Sequence, residues 1–307
     1  MKTRNDTQAP LPPSDVAGFL MRTVEGRWHR LAAEIDRNRR RCTEPGIHDL
    51  RVATRRMLAA LDLAGAVLPG EVGPRTRRAL RRNLKSFSPL RDCHVRILTL
   101  RGLTRRFTVS RPMLREARVL EKELIRQAAR TIARFDAASF GREISAIAES
   151  LASLEETPAR AAAAVLAGVA AKRYLRVASR GGKLSAGDTK TIHRLRVAFK
   201  EYRYSLEALL PLFRGVGKAH LREMGAFQDR MGEIQDIEVL IASVGRFAVT
   251  RGAAYPASML NLQRHLSQRR LALITAFMKN AGAVTGFWPD TVPASGAVIH
   301  QRPGTGS

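Results

Sequence analysis

IHDLRVATRR, at residues 47–56, returns almost unchanged as IHRLRVAFKE at residues 192–201. Over their first seven letters the two strings differ only at the third. In both, a histidine is followed by basic residues three and seven positions later, with apolar residues between them, which is the pattern of an amphipathic helix. The repeat predicts a duplicated chain in which two basic helices serve one ligand that is large enough to touch both.

The sequence around the repeat predicts helix almost throughout. Prolines and glycines divide the chain into about ten helices, and few stretches alternate with the period-two pattern of strands. Short connections favour antiparallel packing, so we expect an all-α protein. Apolar residues recur at intervals of three and four in the first predicted helix, at Leu20, Val24, Trp28 and Leu31.

A second repeated string predicts how the helices are grouped. LRDCHVRIL at 90–98 aligns with IQDIEVLIA at 234–242 at nearly the interval that separates the histidine motifs. We therefore expect two four-helix bundles related by pseudo-twofold symmetry, one from about 16–156 and one from about 157–284. The first half also carries an extra helical hairpin at about 112–155.

The ends of the chain and its cysteines bear on domain boundaries and location. Residues 1–15 and 285–307 are rich in proline and polar residues, which predicts a disordered leader and tail around a folded domain at 16–284. Cys42 and Cys93 have neither a paired nor a metal-ligand spacing. No apolar stretch is long enough for a signal peptide or a membrane span. We expect a cytoplasmic protein, with the surface of a polymer granule as the alternative location.

The charge balance predicts an anionic partner. Lys and Arg number 53 against 27 Asp and Glu, and the formal net charge is +26. Nucleic acid, an anionic membrane surface and an inorganic polyanion are the partner classes that such a charge admits. Arginine greatly outnumbers lysine, and its planar fork of donors matches phosphate oxygens, so we favour phosphate.

Basic residues form rows on three predicted helices. His48, Arg51 and Arg55 fall within about 60° of one another on a helical wheel, and the row of the second motif falls within about 80°. A solvated helix face is the ordinary explanation for charged rows. Apart from Glu207 after Arg203, acidic residues do not follow at i+4, so these rows largely repel themselves, and an external anion explains them better. The candidate contacts are His48, Arg51, Arg55 and Arg56 in the first motif, Arg78, Arg82 and Lys85 on the following helix, and His193, Arg196, Lys200 and Arg203 in the second motif.

The motifs resemble those of the CHAD family (conserved histidine α-helical domain). The similarity rests on H-x-x-R-x-x-x-R/K, extended from His193 to Tyr204 as H-x-x-R-x-x-x-K-x-x-R-Y, and on the RDxxV-like strings downstream. It covers about residues 16–284. The resemblance implies two helical bundles about a basic surface, binding of inorganic polyphosphate, and phosphate contacts from the histidine and basic residues of both motifs.

The two copies differ at three matched positions, so the two halves are not expected to contact a ligand identically. Each difference removes or reverses a charge in one copy. They are Leu58 against Arg203, Gln235 against Arg91, and Glu201 against Arg56.

Other polyanions and other classes of protein stay open as alternatives. General polyanion or RNA binding competes with polyphosphate, although aromatic residues are only 6% and no RNA-binding or helix-turn-helix signature is present. A granule-surface interaction protein is compatible with either ligand. The oligomeric state is not predicted.

A catalytic function is not expected. His48 and Asp49 spell the dipeptide of metal phosphohydrolases, but Arg194 replaces the aspartate in the second copy and no accompanying histidine and aspartate set is evident. Asp92 and Asp236 are better explained as partners of nearby arginines or as helix caps than as metal ligands. We predict a non-catalytic binder with no metal and no cofactor.

Overall fold

The computed structural model describes residues 15–68, 70, 72–154, 159–213, 216–251 and 254–289. This part of the chain forms ten α-helices and no strand, which confirms the all-α prediction. The predicted leader, apart from Asp15, lies outside the described residues. The helices are α1 (Val16–Arg40), α2 (Glu44–Val67), α3 (Pro74–Ser86), α4 (Ser88–Leu103), α5 (Ser110–Ala133), α6 (Ala137–Ala152), α7 (Ala159–Gly181), α8 (Thr189–Leu209), α9 (Lys218–Arg251) and α10 (Pro256–Lys279).

Side-chain caps set the starts of the two motif helices. The hydroxyl of Thr43 accepts a hydrogen bond from the backbone N–H of Gly46 at 3.2 Å at the start of α2. The carboxylate of Asp188 accepts from the N–H of Lys190 at 2.9 Å at the start of α8. Such caps satisfy N–H groups that a helix leaves free in its first turn. Both motifs therefore begin within the first two turns of a capped helix.

The hydrophobic core does not divide at the boundary between the sequence halves. A larger cluster joins α1, α2 and α6 of the first half to α7 and α8 of the second, with Leu20, Leu61 and Tyr202 buried in it. A smaller cluster joins α4 and α5 to α9 and α10 around Leu100 and Leu262. Each cluster thus draws helices from both halves, and the expected pair of symmetric bundles is not confirmed.

The expected hairpin at about 112–155 consists of two consecutive helices with different partners. α5 packs mainly against α4, whereas α6 packs mainly against α1. The two helices are separated by only a short connection, but they do not form a mutual pair. The hairpin prediction is corrected accordingly: α5 is buried in part by α9 and α10 of the second half, and α6 lies in the larger cluster.

The predicted tail begins too early in the sequence. A 3-10 helix runs from Ala281 to Phe287, and Phe287 is buried in the larger core. Its carbonyl accepts a hydrogen bond from the Tyr202 hydroxyl at 2.6 Å, and Trp288 lies 5.1 Å from the ring of Tyr174. An aromatic cluster therefore holds the chain beyond residue 285. The rest of the predicted tail, 290–307, lies outside the described residues.

None of the helices in the described ranges combines the length and the apolar composition that a transmembrane segment requires.

Candidate functional site

The two histidine-motif helices lie against each other. α2 packs on α8, α4 packs on both α2 and α9, and α9 also packs on α8. This arrangement brings the basic rows of the two repeats together. Lys200 of α8 has Arg196, Arg55, Arg51 and Arg91 as its charged neighbours. We call these five residues the central cluster: Arg51, Arg55, Arg91, Arg196 and Lys200.

Lys200 is the most perturbed base of the central cluster. Burial removes water from its ammonium group, and the neighbouring guanidinium groups repel its charge. Together these effects lower the pKa of Lys200 from 10.5 to about 6. Both act against the charged form of a lysine. In the unliganded protein this amine is therefore largely neutral at pH 7.

Arg51 is buried at the junction of α2 with α3 and α4. Arg51 is only 9% exposed. Its Nη1 donates to the carbonyl of Leu84 at 2.9 Å and to the hydroxyl of Ser88 at 3.3 Å. Burial, and then repulsion by Arg55, lower the pKa of Arg51 to about 10. A guanidinium has five N–H donors, so these two bonds from Nη1 do not use its full capacity.

Arg196 projects from α8 towards α9. Burial is the first cause that lowers its pKa, with Asp236 acting in the opposite direction. Gly232 of α9 lies beneath the guanidinium, where an added Cβ would stand 3.6 Å from Nη2. The Nε of Arg196 is buried and has no hydrogen-bond partner among the described residues. The cluster therefore contains a buried cationic donor that the surrounding protein leaves unsatisfied.

Two carboxylates partly balance the charge of the central cluster. Asp92 of α4 faces Arg51, Arg91 and Arg196, while Asp236 of α9 approaches Arg91, with 3.9 Å between Oδ2 and Nη2. Burial raises the pKa of both aspartates, and the nearby arginines oppose that rise. Five basic side chains thus face two acidic ones. The prediction that these aspartates accompany arginines agrees with this geometry.

Comparison with known proteins establishes the family. The family model of the CHAD domain matches residues 22–244 of this chain. The chain belongs to the CHAD domain family. The crystal structure of the CHAD domain from the plant Ricinus communis has a TM-score of 0.67 to this chain, with 17% identity over 92% of this chain and 97% of that one. PptA from Streptomyces chartreusis has a TM-score of 0.58, with 16% identity over 87% of this chain and 98% of that one. No match was found among curated proteins.

The two histidines of this CHAD domain lie at the exposed edge of the central cluster. Burial, and then the charge of Arg91, lower the pKa of His48. The matching histidine, His193, is held differently, because its Nδ1 donates to Oε1 of Gln235 at 2.6 Å. Gln235 occupies the position of Arg91 in the second repeat. The substitution noted in the sequence therefore removes one guanidinium beside the second histidine and supplies a hydrogen-bond acceptor instead.

Several predicted contacts of the CHAD domain lie outside the central cluster. Arg56 pairs with Glu207, with 2.8 Å between Nε and Oε1, and the same carboxylate accepts from Arg27 at 3.1 Å. Arg203 donates to Oε1 of Gln228 at 3.3 Å, and its guanidinium carbon lies 5.8 Å from the centre of the Tyr204 ring. These contacts give both arginines partners within the protein.

The basic row of α3 is a separate, exposed surface. Arg78, Arg82 and Lys85 are all exposed, and the Nε of Arg78 donates to the carbonyl of Pro74 in its own helix at 3.2 Å. We call these three residues the α3 row. None of them is among the charged groups that perturb Lys200.

Arg91 is the one member of the central cluster that was not among the contacts predicted from the sequence. Arg91 lies in the repeated string LRDCHVRIL, and the aligned string of the second half has Gln235 at this position. Because the two copies differ at this position, the repeat does not predict a matched pair of contacts there. The other four members, Arg51, Arg55, Arg196 and Lys200, were all nominated from the spacing of the repeats.

Proposed function

We propose that this CHAD domain binds inorganic polyphosphate at the central cluster, without a catalytic step. The observation that carries the proposal is the convergence of basic residues from both repeats around Lys200, whose pKa is lowered to about 6. Folding has brought like charges together in a partly dehydrated place, at a cost in free energy. A bound polyanion reverses that cost, because its charge favours the protonated lysine and supplies acceptors to the guanidinium groups.

The chemistry of the central cluster suits a phosphate chain without bases. Arginine forks make paired hydrogen bonds to phosphate oxygens, and four of the five members are arginines. Proteins that bind single-stranded nucleic acid place aromatic rings where bases can stack. The two tyrosines of α8, Tyr202 and Tyr204, are buried instead. A ligand that offers many phosphates and no base fits this combination.

Both repeats contribute to the same cluster, which supports one ligand shared between the halves. Arg51 and Arg55 come from the first motif, and Arg196 and Lys200 from the second. Because the core also crosses the boundary between the halves, an isolated half would lose part of its buried surface. The shared site is therefore best tested in the full chain.

Competition at physiological salt tests the choice of ligand. Labelled long-chain polyphosphate is bound to the full chain and displaced with unlabelled polyphosphate, single-stranded RNA or heparin at matched charge. We expect polyphosphate to displace the label at concentrations at least about tenfold lower than the other two, since a shaped site adds directed hydrogen bonds to the counterion release that all polyanions share. Equal displacement by all three would contradict the proposal and would favour a general basic surface.

A further inference from the structure

A second cationic cleft lies at the other end of α4. It has a volume of about 480 Å³ and is formed by the segment that joins α4 to α5 and by the first half of α10. Its polar lining includes Arg106, Thr108, Ser258, Asn261, Arg264 and His265. We call it the α5–α10 cleft. Its volume falls in the range of about 300–1,000 Å³ that is usual for sites of small ligands.

The ionisable groups of the α5–α10 cleft are all basic. Arg106, Arg264 and His265 line it, and within the described ranges no carboxylate does. Neither arginine forms an ion pair with any described residue. Burial is the first cause that lowers the pKa of His265, and the charges of Arg106 and Arg269 lower it further. The cleft is therefore an uncompensated cationic pocket.

Two helix N-termini add to the positive potential of this cleft. α5 begins at Ser110, two residues after Thr108 of the lining, and Ser258 stands in the first turn of α10. Neither first turn contains an acidic residue, and neither helix has a side-chain cap. In α5 the N–H groups of Ser110 and Arg111 already donate to the carbonyls of Phe107 and Thr108, so this helix contributes its dipole and not free N–H donors. The N-terminus of a helix carries partial positive charge and favours anions. Both helices are 24 residues long, so each has a developed dipole.

A hydrogen bond and a ring contact join the two walls of the α5–α10 cleft. The backbone N–H of Val109 donates to the hydroxyl of Ser258 at 3.1 Å. The ring of Phe107 lies 5.2 Å from that of His265, and the guanidinium of Arg106 stands 5.3 Å from the centre of the Phe107 ring. Phe107 belongs to the smaller core and is buried. The basic groups are thus held against a buried aromatic ring.

We propose that the α5–α10 cleft is a second anion site that binds a compact phosphate anion, either free pyrophosphate or the terminal group of a polyphosphate chain. The site is separate from the central cluster, because α4 from Arg91 to Leu103 spans about 18 Å. The residues of the cleft are sufficient for this site, which is independent of polyphosphate binding at the central cluster.

Pyrophosphate titration followed by NMR of the histidine rings tests this site in the full chain. A bound anion stabilises the charged imidazole, so the pKa of His265 should rise when pyrophosphate is added. The variant Arg106→Ala with Arg264→Ala should weaken the binding that His265 reports by at least about tenfold, since it removes both charge-assisted donors of the cleft.

A matched control is available on the same segment. Arg101 and Arg105 are exposed and do not line the cleft, so replacing both by Ala removes the same charge and should change the affinity less than about twofold. Circular dichroism should show unchanged helicity in both variants. Equal losses in the two variants, or no loss in either, would overturn the site.

Cross-tests separate this proposal from the function of the central cluster. Substituting Arg55, Arg196 and Lys200 by Ala should leave pyrophosphate binding at His265 intact, and loss of that signal would overturn a separate site. Preloading with long-chain polyphosphate distinguishes the two sources of phosphate. If preloading leaves the pyrophosphate titration unchanged, the cleft binds the free anion. If preloading raises the His265 pKa and blocks the titration, the cleft holds the chain end.

Discussion

The α3 row and the central cluster are built from the same sequence pattern but have opposite surroundings. In both, basic residues recur at helical spacing opposite an apolar face. Arg78, Arg82 and Lys85 of the α3 row are exposed. Arg51 and Lys200, by contrast, are withdrawn from water and face other cations across the contact between α2 and α8. The contact between helices, and not the spacing along one of them, makes the difference.

This difference teaches where a row of like charges becomes a site. Exposed charges are screened by water and salt, so the row on α3 costs the protein little. Dehydrated charges repel each other strongly and depress their own protonation. Only the second arrangement stores free energy that an anion can release. We therefore expect the two surfaces to respond very differently to the same substitutions.

Removing three basic residues from each surface should give the largest contrast. The variant with Arg55, Arg196 and Lys200 all replaced by Ala should bind long-chain polyphosphate at least about 100-fold more weakly at physiological salt, because it loses several charge-assisted hydrogen bonds of about 1.5–3 kcal/mol each. Fluorescence anisotropy with labelled polyphosphate measures this loss. Circular dichroism should confirm an unchanged helix content.

The α3 row supplies the matched control. Replacing Arg78, Arg82 and Lys85 by Ala removes the same formal charge, and we expect less than about a fivefold loss, since exposed groups act mainly through screened, long-range attraction. That small loss should fade further as salt is raised. A loss equal to that of the central variant would erase the distinction between the two surfaces.

The pH dependence of binding should be the next largest effect. Lys200 is mostly neutral above pH 6 in the free protein, and a bound polyanion favours its charged form, so binding takes up a proton. Affinity should rise by up to about tenfold per pH unit as the pH falls from 8.5 to 7. Below pH 6 the rise should level off, because Lys200 is then already charged.

Isothermal titration calorimetry in buffers of different ionisation enthalpy measures the proton uptake directly. Lys200→Arg keeps the positive charge but does not titrate in this range, so most of the pH dependence should disappear. A bound polyanion also favours the protonated form of His48, whose pKa is lowered in the free protein, so the titration is repeated in His48→Gln, where the slope due to Lys200 should remain. Persistence of the full slope in Lys200→Arg would assign the proton to another group.

Stability without ligand should show the smallest of these effects. Lys200→Met removes a buried amine from a cationic site and should increase the free energy of unfolding by on the order of 1 kcal/mol. Lys85→Met, on the exposed α3 row, should change it by less than about 0.5 kcal/mol. Urea denaturation of both variants measures the free energy of unfolding. If the two variants changed it equally, Lys200 would not destabilise the unliganded protein.

The sign of this effect with pH follows from the pKa of Lys200. The unfolded chain binds the lysine proton at 10.5, whereas the folded protein binds it only at about 6. The unfolded state therefore holds more protons between these values, and wild-type stability gains from Lys200 deprotonation as the pH rises through that window. The advantage of Lys200→Met should be complete below pH 6 and should shrink towards pH 10.5.

Much of the candidate site was accessible from the sequence because helical spacing is a local property. The repeats nominated Arg51, Arg55, Arg196 and Lys200 and predicted that both copies meet one ligand. They did not reveal that Arg56, one residue from Arg55, turns to Glu207 of α8. Nor did they exclude the α3 row. Partner choice depends on residues that are distant in sequence, which no spacing rule on a single helix reports.

The sequence by itself determined the all-α class, the two capped motif helices and the faces on which their charges stand. Those features follow from the 3.6-residue period and from local hydrogen bonds. Only the tertiary structure decided that the core crosses the two halves, that Arg91 joins the cluster and that Lys200 loses its water. Helix packing sets which faces are brought together, and burial distinguishes the central cluster from the exposed α3 row, although both have the same basic pattern.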